Sequence, residues 1–525
     1  MAQTTNTEYF VSSSYTRTNL NPALRPANGY VGFPGLTNFS LDYRTNTFNL
    51  ENFLFPGKGD DGKKTATFLH PNVTSAEFLK NIADANFLAL DINETILGFG
   101  FYAGDMFWNF DLSARVFGEA NVPYDFFAFV KKGLQSNQAF DFKDLSLSAT
   151  AFAQAAVGAS LPLLDDKLMV GAKVKVLAGV AAASFNIDRL RFDLGEGGTN
   201  VWKLQTQASL QVHAPGVKAV YKNEDGKEVF DDIDFDFKPA PSGWGLGVDL
   251  GGVFDLGYFA DSYEFLENFS VSAAVTDIGF ISWNKGADNF VSLVSDPTEV
   301  TLLGDKVIEF SDEESLDDIF NGLEDKLKDV KNLKNGGDSK ALKGMGLRSK
   351  MNIGIDYAFP SFPANVGILS TTHFNPSKTF TELTLGGSIR PIKKGLELGA
   401  SYSLVYGDFQ KFGVSLHLGN FFFVSSDYLL PKVNSSIWQP VSVKGLNVQL
   451  GIAIPLSGSK KGRSIDATPI TPKPKKEKPK KEDEVPPVEI PVEAPIETPV
   501  EEPVETPVIN VLIDEPVTTT TTIQY

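Results

Sequence analysis

Four histidines stand at positions 70, 213, 373 and 417, without the helical or short-loop spacing that gathers ligands on a metal ion, and the 525-residue chain has no cysteine to supply thiolates. No G-x-S-x-G nucleophile elbow occurs. Gly98-Phe99-Gly100-Phe101-Tyr102-Ala103 approximates a dinucleotide fingerprint, but it falls inside a strand rather than between a strand and a helix, so its glycines read as space-makers. Gly243-Trp244-Gly245-Leu246-Gly247 reads the same way. What remains is a set of polar side chains at alternating positions: Asn109, Asp111, Arg115, Lys173, Lys175, Gln205, Gln207 and Asp249. A spacing of two puts residues on one face of an extended strand. Amides, amines and carboxylates mixed along such a face hold water and one another. They do not form a bond-making constellation, and the reading is a non-enzyme with no metal site and no cofactor.

The elements that carry these residues are long alternating strands. Trp108, Phe110, Leu112, Ala114 and Val116 alternate with Asn109, Asp111, Ser113 and Arg115. Residues 145–161 repeat the pattern, a turn over Pro162 to Asp166 follows, and Leu168 to Val176 returns with Lys173 and Lys175 on the polar face. Further segments follow at 202–212, 246–251 and, last, 446–454. These runs exceed the ~5 to 6 residues usual in globular sheets and reach the ~9 to 11 that cross a bilayer as tilted strands. Strands in lipid must leave no edge unpaired, which requires closure and favours an even count. The fold expected is all-β: a transmembrane antiparallel barrel of about 14 strands, within a range of about 12 to 16.

Composition agrees. The net charge of −18 argues against a nucleic-acid partner. Mean hydropathy is −0.09, as expected where only every second residue meets lipid. No run reaches the ~18 apolar residues of a membrane helix. Met1-Ala2-Gln3-Thr4-Thr5 is polar and lacks the basic and apolar regions of a signal peptide, so on an export reading that peptide has been removed.

Short turns are expected at 102–105, 162–166, 391–395 and 419–420, and long loops at 45–86, 214–242, 284–345 and 431–444. If the last strand descends to the periplasm, the short turns are periplasmic. Ser311-Asp312-Glu313-Glu314 begins a capping box, followed by Leu316, Ile319, Phe320, Leu323, Leu327 and Val330 at helical spacing, and a shorter helix is expected from Ser75 to Ala85. After Leu456 a basic run at 473–481 gives way to Pro at 487, 491, 495, 499, 503 and 507. Such spacing stops helix and strand alike, so residues 457–525 read as a disordered, extended periplasmic tail.

Asn21, Pro22 and Ala23 precede the first strand, and this Asn-Pro-Ala segment resembles the hatch of FadL-like outer-membrane barrels, which transport hydrophobic compounds. NLNPALRPANGYVGFPGLTNFSLDY, VTDIGFISW at 275–283 and FFFVSSDYLL at 421–430 resemble an uncharacterised, Bacteroidetes-type branch of that superfamily, and also PorV-type barrels of the type IX secretion system. The resemblance implies an N-terminal hatch or plug over 1–35 ahead of an outer-membrane barrel over 36–456, and the tail read from the proline spacing follows over 457–525. It also implies a channel for small hydrophobic compounds, gated by the hatch. The alternative is a non-transporting scaffold, or a component of a secretion complex, that binds outer-membrane or periplasmic proteins through its loops and residues 457–525. A soluble secreted β-protein is a third reading.

Overall fold

The computed structural model describes residues 4–458 apart from 61, 134–137, 196–200, 225–226, 237, 239, 287, 304–332, 337–346, 375–378, 393–394, 406–409, 420, 429–431, 435–438 and 443–444. The helix read at 311–330 and the tail from 459 onwards lie outside the described residues.

Eighteen strand segments matter here, numbered in chain order. They are β1 Asn28–Gly32, β2 Asn38–Thr45, β3 Ala85–Ala103, β4 Met106–Pro123, β5 Ser146–Leu163, β6 Leu168–Leu194, β7 Val201–His213, β8 Gly243–Asp255 and β9 Phe269–Trp283. β10 is Phe290–Ser295, β11 Thr298–Leu303, β12 Lys350–Ala358, β13 Ala364–His373, β14 Phe380–Ile392, β15 Leu396–Val405, β16 Gln410–Leu418, β17 Phe422–Ser426 and β18 Gly445–Gly458. Each wall strand pairs antiparallel with its neighbours, and β18 closes the ring on the first strand through Tyr43↔Leu446, Phe39↔Leu450 and Val31↔Ile454. β1 and β2 are one wall strand interrupted at 33–37. The closed barrel has 14 strands.

Alternation decides which way each side chain points. Phe99, Trp108, Val116, Val174, Leu246, Phe280, Ile353, Leu385, Val414 and Ile454 are exposed on the outside, whereas Asn109, Ser113, Arg115, Lys173, Lys175, Asp249, Asn352, Glu382 and Lys411 are buried inside. Exposed aliphatic and aromatic side chains thus ring the wall, with polar groups within. This inversion of a soluble protein is stable only where the outer face meets hydrocarbon.

β7 corrects the sequence reading. It carries the same alternation as the wall strands but lies outside the ring. The 27-residue β6 pairs with β8 through its first half (Phe254↔Leu168 to Gly243↔Gly179) and with β7 through its second (His213↔Ala182 to Trp202↔Leu194). At about 3.3 Å per residue such a strand outruns an apolar band about 25 Å tall, so its far half leaves the wall. There it forms a projecting sheet with β7, β10 and β11.

The four short turns read from the sequence fall at one end of the barrel, the last beside Gly419, whose φ is +53°. At the opposite end the long connections carry a second core in which Phe53, Phe68, Phe78, Phe127, Phe129, Phe140, Phe142 and Phe192 pack together. Its helix Ser75–Leu79, capped by Thr74, is shorter than expected. The Asn86 amide donates to the carbonyl of Ala83 and accepts from its N–H, taking both backbone groups from any further helical turn.

Candidate functional site

Residues 4–27 lie inside the barrel. Local sequence explains why they are not a strand: two short 3-10 turns, Asn6–Phe10 and Thr16–Asn19, are followed by Asn21-Pro22, where proline fixes one residue and restricts the one before it. The Asn21 carboxamide oxygen accepts from the N–H of Ala23 at 2.9 Å, holding the turn, and its NH2 donates to the carbonyl of Gly252 in the wall at 3.1 Å. Backbone freed from secondary structure must find other partners. Asn352 donates to the carbonyl of Leu20 at 2.7 Å and Asn365 to that of Phe10 at 2.9 Å, while the N–H groups of Ser12 and Ser13 both donate to Glu397 at 3.0 Å.

Side chains of this plug are held as closely. Glu8, fully buried, meets His417 Nε2 at 3.0 Å and accepts from Ser415 Oγ at 2.5 Å. Burial alone would raise the Glu8 carboxyl, but the His417 charge and hydrogen bonds from His417, Ser14 and Ser415 outweigh it and hold the group at about 2. The Asn6 N–H donates to Asp427 at 2.7 Å and its amide to Glu382 at 2.9 Å. Tyr9, Phe10, Leu20, Ala23 and Leu24 form one apolar cluster with Met169, Val253 and Leu369 of the wall. Wall glycines give the room: a Cβ on Gly171 would strike the backbone of Pro22 and Ala23, and one on Gly354 would strike the Tyr9 hydroxyl.

Against the plug lies an ionic centre. Lys175 Nζ sits 2.6 Å from both Asp249 and Asp277, Arg115 is 3.1 Å from Asp277, and Lys173 is 2.8 Å from Asp111 and 3.1 Å from the Asn19 side chain of the plug. Asp277 occupies the left-handed region (φ +57°) where the β8–β9 register slips between Val248 and Leu250. That bulge turns Thr276 and Asp277 both inward. Farther along the same strands, towards the long loops, Phe117, Phe152, Leu177, Ala182, Ile281 and Trp283 form an apolar cluster in the lumen with Leu347. Gly179 lies against the Trp283 ring, and in the Gly-x-Gly-x-Gly run Gly247 leaves room for the Leu347 side chain.

Six of the eight polar positions singled out in the sequence, Asn109, Asp111, Arg115, Lys173, Lys175 and Asp249, line the lumen and come together at this centre. Gln205 and Gln207 do not: they sit on β7 in the projecting sheet, where Gln205 donates to Glu299 at 2.7 Å in an exposed pair. Sequence reading missed Asp277, Lys350, Glu8, His417, Glu382 and Asp427. For Asp277 a signal existed, since two adjacent polar residues at 276–277 break the two-residue period. Glu8 and His417 lie 409 positions apart and carry no local signal.

A closed barrel, apolar outside, ionic inside and filled by its own N-terminal segment, defines a plugged transmembrane β-barrel of the outer-membrane type. The chain belongs to a family of unknown function, DUF5723, whose model matches residues 22–427. No curated protein sequence matches it. Among solved structures it is similar to the TodX deltaS2S3 mutant monoaromatic hydrocarbon channel, at 11% identity and a TM-score of 0.32 over 86% of this chain and 96% of that one. It is also similar to the Pseudomonas putida toluene transporter TodX, at 10% and 0.32 over 84% and 93%. For the COG4313 outer membrane channel from Pseudomonas putida F1 the figures are 8% and 0.27 over 81% and 98%. With scores this low, the fold rests on the strand pairing above and not on these likenesses.

Proposed function

We propose that the protein is an outer-membrane channel for small hydrophobic compounds, closed by residues 4–27 acting as a hatch that moves to open it. The plug is the observation that carries this reading. It is held mainly by polar contacts, from Asn6, Thr7, Glu8, Ser12, Asn19 and Asn21 to the wall, and groups parted from such contacts regain hydrogen bonds from water. A plug seated on a broad apolar face would have no such exchange, losing ~25 cal/mol for every Å² exposed. The apolar lumen cluster around Phe152, Leu177 and Trp283 suits a hydrophobic solute, and the Asn21-Pro22-Ala23 resemblance points to the same class. With the short turns in the periplasm, Gly458 also lies on that side, and residues 457–525 begin there as a tether for periplasmic partners.

Deleting residues 4–27 leaves the β1 and β2 partners of β18 in place, so the barrel still closes. In liposomes the deletion variant is expected to pass benzene-sized apolar solutes faster than the full chain. Unchanged permeability to every solute tested would sink the hatch reading.

A further inference from the structure

Between the plug and the wall lies a small polar chamber of about 50 Å³, lined by Asn19 of the plug and by Asp111, Arg115, Lys173, Lys175, Asp249, Asp277 and Lys350 of the wall. Every charged group in it except one is in a contact ion pair. The exception is Lys350: it is 8% exposed, and its ammonium has neither a hydrogen bond nor an ion pair among the described residues. With four cationic and three anionic side chains around it, the chamber carries one positive charge in excess. A buried ammonium with no acceptor in contact is costly. The neighbouring carboxylates are already taken: Asp277 by Lys175 and Arg115, Asp249 by Lys175, Asp111 by Lys173.

We infer that this chamber is a binding site for one small monovalent anion, of halide or formate size, held by Lys350 with the plug in place. The chamber has room for a halide or for the two oxygens of a carboxylate. An anion there neutralises the excess charge and gives the ammonium an acceptor in charge-assisted geometry. Lys173 already joins the wall to Asn19 of the plug at 3.1 Å, so the anion sits on the seam between the two. The inference stands whether or not the plug moves.

The test uses the purified full chain in detergent, in a HEPES buffer with no other small anion present, titrated with sodium bromide or sodium formate while its unfolding temperature is followed. Wild type is expected to show saturable stabilisation by both ions, and K350R to retain it. K350M should start more stable than wild type without halide and lose the response, its apparent Kd rising about tenfold or more. Bromide-soaked crystals should show anomalous density beside Lys350 Nζ. The inference is overturned if K350M and wild type respond alike, if neither responds saturably because Lys350 is a neutral amine bonded to water, or if bromide density appears only elsewhere. The bromide and formate arms together tell a general small-anion site from one that requires a carboxylate.

Discussion

Asp277 holds two cations at once from a backbone conformation that non-glycine residues rarely adopt. Asn tolerates that conformation and has nearly the same shape, so Asp277→Asn isolates the charge. It leaves Lys175 with Asp249 alone and Arg115 without its carboxylate, and a broken buried pair costs about 3–5 kcal/mol. The unfolding temperature should fall clearly in a heat-modifiability gel. Asp111→Asn should fall less, because Lys173 keeps Asn19; equal losses would mean the ionic centre does not act as a unit. Glu8 gives a prediction with a sign. Its folded value, about 2, lies below the ordinary 4.5, so its contribution to stability is complete above about 4.5 and is lost as pH falls towards 2. The unfolding-temperature gap between wild type and Glu8→Gln should hold from pH 8 to about 5 and shrink below that. A gap that closes between pH 8 and 6 would contradict it.

At the scale of the element, the plug and the wall fit through two unlike glycines. Gly171 faces plug backbone at Pro22 and Ala23, which has nowhere to go, whereas Gly354 faces side-chain atoms, the far end of Tyr9 and the Ser272 hydroxyl bonded to it. Overpacking costs about 1–3 kcal/mol, and Gly171→Val should lie at the high end and unseat the plug while Gly354→Val is milder. Because the chain has no cysteine, a single Ser13→Cys reports the difference through its maleimide labelling rate. Gly171→Val should label fastest, and the reverse order would refute this packing. The wall strands themselves were legible because a two-residue period is a local property: Trp108 to Val116 alternates visibly and does so in the structure. The same property misplaced Gln205 and Gln207, since alternation reports a two-faced strand and not whether that strand lies in the ring. Asp277 escaped because a bulge shifts phase by one residue. The plug's partners escaped because Glu8 and His417 are joined only by closure of the whole barrel.

At the scale of the molecule, closure is a contact between the two ends of the described chain. β18 is paired on one side with β17, through Phe422↔Ile452 to Ser426↔Val448, and on the other with β1 and β2. The N-terminal plug enters the ring immediately before β1, so the C-terminal strand completes the wall around the N-terminal segment. Among the described residues this ladder ends at Gly458. A chain stopped at 458 is therefore expected to fold, to show the same heat-modifiability as the full chain and to keep its plug, with an unchanged Ser13→Cys labelling rate. A chain stopped at 444 lacks β18, which leaves the facing edges of β17 and of β1–β2 unpaired in hydrocarbon, where each orphaned backbone group costs several kcal/mol; it should fail to fold. If the chain stopped at 458 also failed, closure would need more than its fourteen strands, and the Pro-rich segment would have a part in assembling the barrel. If it folds but no longer retains periplasmic proteins that the full chain retains, the tail is the tether.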